Sequence, residues 1–250
     1  MKIKNPKTVT YQKFDNKVVN KYVKNTINFD CHKNVPSDAK FYFAYKNIPV
    51  IKNYGESKDF KIDIDRLKEL NITNLQCIGK SGVRGESLSA DRNYKFIPKV
   101  KECGIETIID LRTAVHTDKF KTKCQKFGLN YIHIPIDSKV TSDREILDNL
   151  PTLFKAIEDG KFYIACAQGK HRTDIAFAIN YLFNPKHPPT PPKMYGHVEN
   201  GKMRSQDIFR RANSLLKSMT PEDKATLGWN EKFEQTFKQR KQKLIEFNEQ

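Results

Sequence analysis

Lys161-Phe-Tyr-Ile-Ala-Cys166-Ala-Gln-Gly-Lys-His-Arg172-Thr173-Asp174 runs from an apolar tetrad through a short polar loop into a second apolar run. Phe162 to Ala165 has the length and composition of a buried strand. Ile175-Ala-Phe-Ala-Ile-Asn-Tyr-Leu-Phe183 is apolar nearly all round, which predicts a buried helix. The loop between them starts with a thiol and ends with a guanidinium, five residues intervening. A thiol, a glycine, a guanidinium and a hydroxyl at a helix N-terminus form a place suited to holding a phosphate and attacking it.

The segments on either side give this loop a sheet to sit on. Leu75 to Ile78, Thr107 to Leu111 and Tyr131 to Pro135 read as further strands. Helices are predicted between them. One starts after an N-cap at Ser89-Ala-Asp91 and stops at Gly104. A second covers Lys119 to Phe127 and is closed by Gly128. A third carries Ile146, Leu147, Leu150, Leu153, Phe154 and Ile157, with a kink or restart at Pro151. Alternating strands and helices from about residue 75 to 183 predict an α/β fold with a mostly parallel central sheet flanked by helices. Ligands in such folds bind beyond the C-terminal strand ends, so the segments after Leu111, Pro135 and Ala165 should meet at one edge. Gly79-Lys-Ser-Gly-Val-Arg-Gly85 reads as turn-rich.

The flanking regions are less regular. Residues 1–60 mix Lys and Asn with aromatic clusters and are expected to form an N-terminal extension packed on the main domain, which takes residues 61–250. The proline-rich stretch Asn184 to Pro192 predicts a stiff, extended connector. From about residue 204 the chain reads as C-terminal helices: Ser205 to Met219, a helix capped by Thr220 with Pro221 at its first position, and a basic helix from Glu231 to Phe247.

Lys plus Arg number 45 against 29 for Asp plus Glu, a formal charge of +16. Such an excess draws polyanions by its long-range field, and an acidic membrane surface is among the partners it suits. No zinc-finger, RNA-binding or basic-zipper pattern accompanies it, so no stable nucleic-acid complex is expected. No run nears the roughly 18 apolar residues that span a bilayer, and no apolar segment follows the basic N-terminus as in a secretory signal. Five cysteines, an odd number without C-x-x-C spacing, argue against a disulfide framework or zinc site. Free thiols place the protein in a reducing, cytoplasmic compartment. No metal or cofactor is expected, and the sequence does not fix the oligomeric state.

The chemistry of the loop follows from its residues. Five residues between Cys166 and Arg172 let the backbone curl so that the amides of Ala167, Gln168, Gly169, Lys170 and His171 face one anion, phosphate or sulfate. Arg172 binds two oxygens of that anion with its planar fork. The helix N-terminus and nearby cations favour thiolate at Cys166. Lys170 and His171 add positive charge and are candidates for substrate contact. Gly169 permits a backbone geometry that a Cβ would obstruct. Thr173 brings a hydroxyl toward the sulfur, where it can stabilise thiolate as the leaving group.

Cys166-Ala-Gln-Gly-Lys-His-Arg172-Thr173 resembles the signature loop of the cysteine-dependent protein tyrosine phosphatase superfamily, in its dual-specificity branch. Gly104-Ile-Glu-Thr-Ile-Ile-Asp-Leu-Arg112 and Gly128-Leu-Asn-Tyr-Ile-His-Ile-Pro-Ile-Asp137 resemble the segments that precede it in compact members. The likeness spans about residues 75 to 183. The Gly-Lys-His-Arg-Thr wording is similar to the plant and fungal atypical group, some of whose members hydrolyse inositol pyrophosphates. The resemblance implies a dual-specificity phosphatase-like fold and a metal-independent phosphomonoesterase working through a cysteinyl phosphate. It also implies a general acid on a neighbouring loop. Asp137, at a strand end 29 positions before the nucleophile, suits that layout; Asp143 is the rival and also reads as the start of a helix. Two positions depart from the pattern: Ala165 stands where many members have His before the nucleophile, and Asp174 where many have Gly.

Arg84 and Lys80 are candidates for the rim of the site. Arg112 is either a substrate contact or the partner of a nearby acid. Cys77 and Cys103 are candidate disulfide partners of Cys166. Three readings stay open: a protein tyrosine or dual-specificity phosphatase acting on phosphorylated protein, an inositol polyphosphate or phosphoinositide phosphatase, and a catalytically weak phosphate-binding module.

Overall fold

The computed structural model describes residues 62–78, 82–89, 94–113, 117–136, 141–186, 190–199 and 202–249, and the backbone of Val50–Ile51. The extension expected over residues 1–60 lies outside the described residues except for that dipeptide. Asp137, Lys80 and Asp91 also lie outside them.

Six strands form one sheet: β1 (Val50–Ile51), β2 (Gln76–Ile78), β3 (Gly82–Gly85), β4 (Thr107–Asp110), β5 (Asn130–His133) and β6 (Phe162–Ala165), in the order β1-β2-β3-β6-β4-β5. Strands β3, β6, β4 and β5 are mutually parallel; within this sheet, among the described residues, only β2 and β3 pair antiparallel. The mostly parallel sheet expected from sequence is therefore present. Its register aligns Gly85 with Ala165, Ala165 with Asp110, and Asp110 with His133. The four parallel strands thus end along one line, and the segments that follow them emerge side by side.

Side-chain alternation assigns the two faces. Phe162, Ile164 and Cys166 belong to one apolar layer, Tyr163 and Ala165 to the other. The first layer is covered by α4 (Asp143–Asp159), α5 (His171–Phe183), α6 (Ser205–Ser218) and α8 (Glu231–Asn248). The second is covered by α1 (Ile64–Glu69), α2 (Phe96–Glu102) and α3 (Thr117–Lys126). Helix α4 continues through Pro151, without the expected restart. Gly128 and Gly160 end α3 and α4 with φ of 68° and 74°, a conformation that glycine enters without steric cost.

Gly82–Gly85 corrects the turn-rich reading. It is a buried strand at the heart of the sheet. A Cβ at Gly82 would lie 2.5 Å from Phe162 ring carbons, and one at Gly85 would lie 2.4 Å from the Tyr163 hydroxyl. Glycine here lets the bulky side chains of β6 lie across a neighbouring strand, which is a packing role rather than a turn signal. The predicted N-cap at Ser89 is also not one. Helix α2 starts at Phe96, and Ser89 bonds Ser87 and Arg112 instead.

The C-terminal helices form as expected. Thr220 and Asp223 make a reciprocal capping box at α7 (Pro221–Thr226). Arg240 of α8 is buried and donates from one nitrogen to the carbonyls of Tyr181, Leu182 and Asn184 at 3.2, 3.2 and 3.0 Å. It thereby serves carbonyls that the end of α5 leaves open. A short hairpin, β7 (Val198–Glu199) with β8 (Lys202–Met203), was not legible in the sequence. Among the described residues no helix is long and apolar enough to cross a membrane.

Candidate active site

Strand β6 delivers Cys166 at the line where the four parallel strands end. Cys166 is 4% exposed and begins the loop formed by residues 166–170. Four successive carbonyls of that loop are held from outside. Ala167 O accepts from the Ser87 amide at 3.2 Å, and Gln168 O from Asn74 Nδ2 at 3.0 Å. Gly169 O accepts from Arg84 Nε and Nη2 at 3.0 and 2.7 Å. Lys170 O accepts from the same Nη2 at 3.0 Å and from the Asp174 amide at 2.8 Å. In a planar trans peptide the carbonyl of one residue and the amide of the next point in opposite directions. With the carbonyls of residues 167 to 170 turned outward, the amides of residues 168 to 171 face the concave side. Such an arrangement is compatible with the nest expected from the spacing for residues 168 to 171; the four carbonyls do not bear on the Ala167 amide.

Gly169 is required there twice over. Its φ is 67°, and a Cβ would lie 2.2 Å from the Gly85 carbonyl oxygen. Lys170, the N-cap of α5, makes no side-chain capping bond. Ala167, Gln168 and His171 are exposed, Lys170 and Arg172 half-buried. Arg172 lies in the first turn of α5, as the spacing required. Thr173 follows it, fully buried, and its hydroxyl has no hydrogen-bond partner among the described residues. A buried orphan hydroxyl is rare in folded proteins.

Two residues read less well from sequence prove central. Arg84, a candidate for the rim, has no exposed side-chain surface. It lies beneath the loop, with its guanidinium over the rings of Phe177 and Tyr195 at 5.5 and 5.1 Å. Asp174 is not an isolated negative charge. Its Oδ1 accepts from Arg84 at 2.6 Å. Its Oδ2 accepts from the amides of Tyr195 and Gly196 at 3.0 and 2.7 Å, and lies 3.2 Å from His197 Nδ1. Burial alone would raise the Asp174 carboxyl; the Arg84 charge and the bonds from His197 and Arg84 outweigh it and hold the group below its ordinary value. An Arg placed in a strand between two packing glycines was the one available signal of this pair.

His171 packs edge-on against His197, ring centroids 5.2 Å apart. Burial, then the neighbouring His197, hold it below its ordinary 6.5, with Lys170 and Arg204 adding to the effect and Asp174 opposing it. That shift works against the positive charge expected of His171.

The neighbouring strand ends supply a second polar cluster. Arg112 clamps Asp110 through Nε and Nη2 at 2.8 and 2.6 Å, Tyr131 donates to the same carboxylate at 3.0 Å, and Arg112 also bonds Ser89. Of the two roles open to Arg112, pairing with an acid is the one observed. The backbone leading to Asp137 is anchored beside β4, with Ile134 N on Asp110 O at 2.9 Å and Ile136 N on Leu111 O at 3.2 Å. Asp143 is committed elsewhere. Its carboxylate accepts from Arg211 at 2.8 Å, Ser218 at 3.0 Å and Ser214, which joins α4 to α6. Cys77 and Cys103 lie in the apolar layer on the opposite face from Cys166.

No protein-family model matches the chain, and no curated protein matches it. Several solved structures are similar to it. Pseudomonas aeruginosa TpbA is 11% identical, with 70% of this chain and 97% of that one covered, at a TM-score of 0.39. A cysteine-to-serine form of TpbA in complex with phosphotyrosine is 14% identical over 52% of this chain and 69% of that one, at 0.35. The core catalytic domain of the PP-IP phosphatase SIW14 from Saccharomyces cerevisiae, in complex with citrate, is 12% identical over 63% and 86%, at 0.32.

Proposed function

We propose that the loop from Cys166 to Arg172 is the active site of a cysteine-dependent phosphatase that hydrolyses phosphate monoesters. The observation that carries this reading is the anchoring of four consecutive carbonyls in the loop that Cys166 begins, an arrangement that suits amides turned toward an anion. Cys166 thiolate attacks phosphorus in line. The S–P bond forms as the P–O bond to the leaving group breaks. Amides of the loop and Arg172 hold the equatorial oxygens, whose charge the helix N-terminus also favours. Asp137 gives its proton to the leaving oxygen. In the second step Asp137 takes a proton from water, the water oxygen attacks phosphorus, and the S–P bond breaks to release inorganic phosphate and thiolate. The buried Thr173 hydroxyl, without another partner among the described residues, donates to that returning thiolate.

Phosphorylated protein, on tyrosine or on serine and threonine, is the leading substrate class. An inositol polyphosphate or phosphoinositide is a second reading, favoured by Lys170 in the loop and by the +16 charge. The free buried thiols suit a reducing cytoplasm. Phosphate release from phosphopeptides, phosphoinositides and inositol polyphosphates, measured with wild type and Cys166→Ser, tests the assignment. Release that depends on Cys166 is expected. Release from none of them would leave a phosphate-binding module.

A further inference from the structure

We propose that Arg84 is the positioning residue of the phosphate cradle: by holding the Gly169 and Lys170 carbonyls outward it aims the Lys170 and His171 amides at the bound oxyanion, and Asp174 holds Arg84 in that pose. The proposal deepens the phosphatase reading and rests on it.

Arg84 reaches the loop from a different strand, 85 residues earlier in the chain, and devotes two nitrogens to two consecutive loop carbonyls. Its side chain is fully enclosed. A buried guanidinium is a costly way to fill a core, since an apolar residue of similar volume would pack there without desolvating a charge. A rigid fork bonded to both carbonyls, by contrast, fixes the orientation of the two peptide planes that follow. Asp174 completes the device. One oxygen orients Arg84; the other binds the Tyr195 and Gly196 amides and His197, so the segment before β7 closes over the pair. Gly196 must be glycine for that approach, because a Cβ would lie 2.9 Å from the His171 amide nitrogen.

The test uses the full chain and tungstate as a phosphate-like probe, with para-nitrophenyl phosphate for turnover. Arg84→Lys keeps the charge and loses the fork. The double variant Arg84→Gln with Asp174→Asn keeps hydrogen bonding and removes both charges. In each, tungstate affinity and kcat/KM should fall roughly 10- to 100-fold, the scale on which small misplacements of a site act, while near-ultraviolet circular dichroism reports an intact fold. A folded variant that binds tungstate within twofold of wild type overturns the proposal. A second measurement needs no variant. Coupling is reciprocal, so tungstate should raise hydrogen-exchange protection of the wild-type Tyr195 and Gly196 amides as well as those of the loop. Protection confined to the loop overturns the role of Arg84 and Asp174 while leaving the phosphatase reading intact. Absence of any tungstate binding to wild type overturns both.

Discussion

The Asp174 carboxylate and the Arg84 guanidinium meet at 2.6 Å with neither side chain exposed. The Asp174 carboxyl lies below its ordinary 3.8, so the unfolded chain binds the proton more readily than the folded one. Its contribution to stability is therefore complete above the unfolded value and is lost as pH falls below about 4 toward the folded value. Urea titrations should show the unfolding midpoint of wild type dropping on acidification through that range, and Asp174→Asn should flatten the drop. Asp174→Ala strands a buried guanidinium and should cost about 3–5 kcal/mol at neutral pH.

Gly169→Ala introduces a methyl group 2.2 Å from the Gly85 carbonyl oxygen at a backbone φ of 67°. The loop must move away from β3 to accept it. Oxyanion binding, followed by calorimetry with tungstate, should fall by more than about tenfold, since the amides depend on that close approach. Unchanged affinity would separate the cradle from the packing of Gly169.

Asp143 and Asp137 should behave oppositely. Burial raises the Asp143 carboxyl, but bonds from Ser214, Arg211 and Ser218 hold it below its ordinary value, unsuited to delivering a proton. Asp143→Ala should cost about 1–3 kcal/mol by freeing Arg211 and the two serines, with turnover within twofold of wild type. Asp137→Ala should leave tungstate affinity unchanged and depress kcat about 100-fold or more, the scale of a general acid. Steady-state kinetics beside urea melts decides between them.

Cys77 and Cys103 are each pushed up to about 11, and Cys124 to about 12, chiefly by burial. Thiolate is the reactive form. Peptide mapping after iodoacetamide treatment at neutral pH should find these three unmodified in the folded protein and fully modified in urea. Oxidation that links Cys166 to Cys77 or Cys103 without unfolding would contradict their place on the opposite face of the sheet.

The strand–loop–helix unit was legible because its signals are local: an apolar tetrad, a fixed Cys-to-Arg spacing and an apolar helix. The helices that flank it were legible through their 3.6-residue periodicity and the glycines that end them. Strand β3 was hidden because Gly82 and Gly85, ordinary turn signals, are there to make room for Phe162 and Tyr163, and nothing local reveals a partner eighty residues away. Asp174 read as a departure for the same reason. Its meaning depends on Arg84 and on the backbone at Tyr195 and Gly196. For Arg112 the sequence left two roles open, and Asp110, two residues before it, takes up the acid-pairing one.

The bonds of Asp174 have a kinetic side. The residue ties strand β3, 90 positions upstream, to backbone 21 and 22 positions downstream. A chain emerging from the ribosome carries Cys166 and Arg172 into solution before Tyr195 and Gly196 are available to close over the Arg84 pair. The thiol is thus made early and its cradle is completed late. The bonds that fix Arg84 beneath the loop are therefore complete only once the chain has been made through Gly196, 30 positions past Cys166.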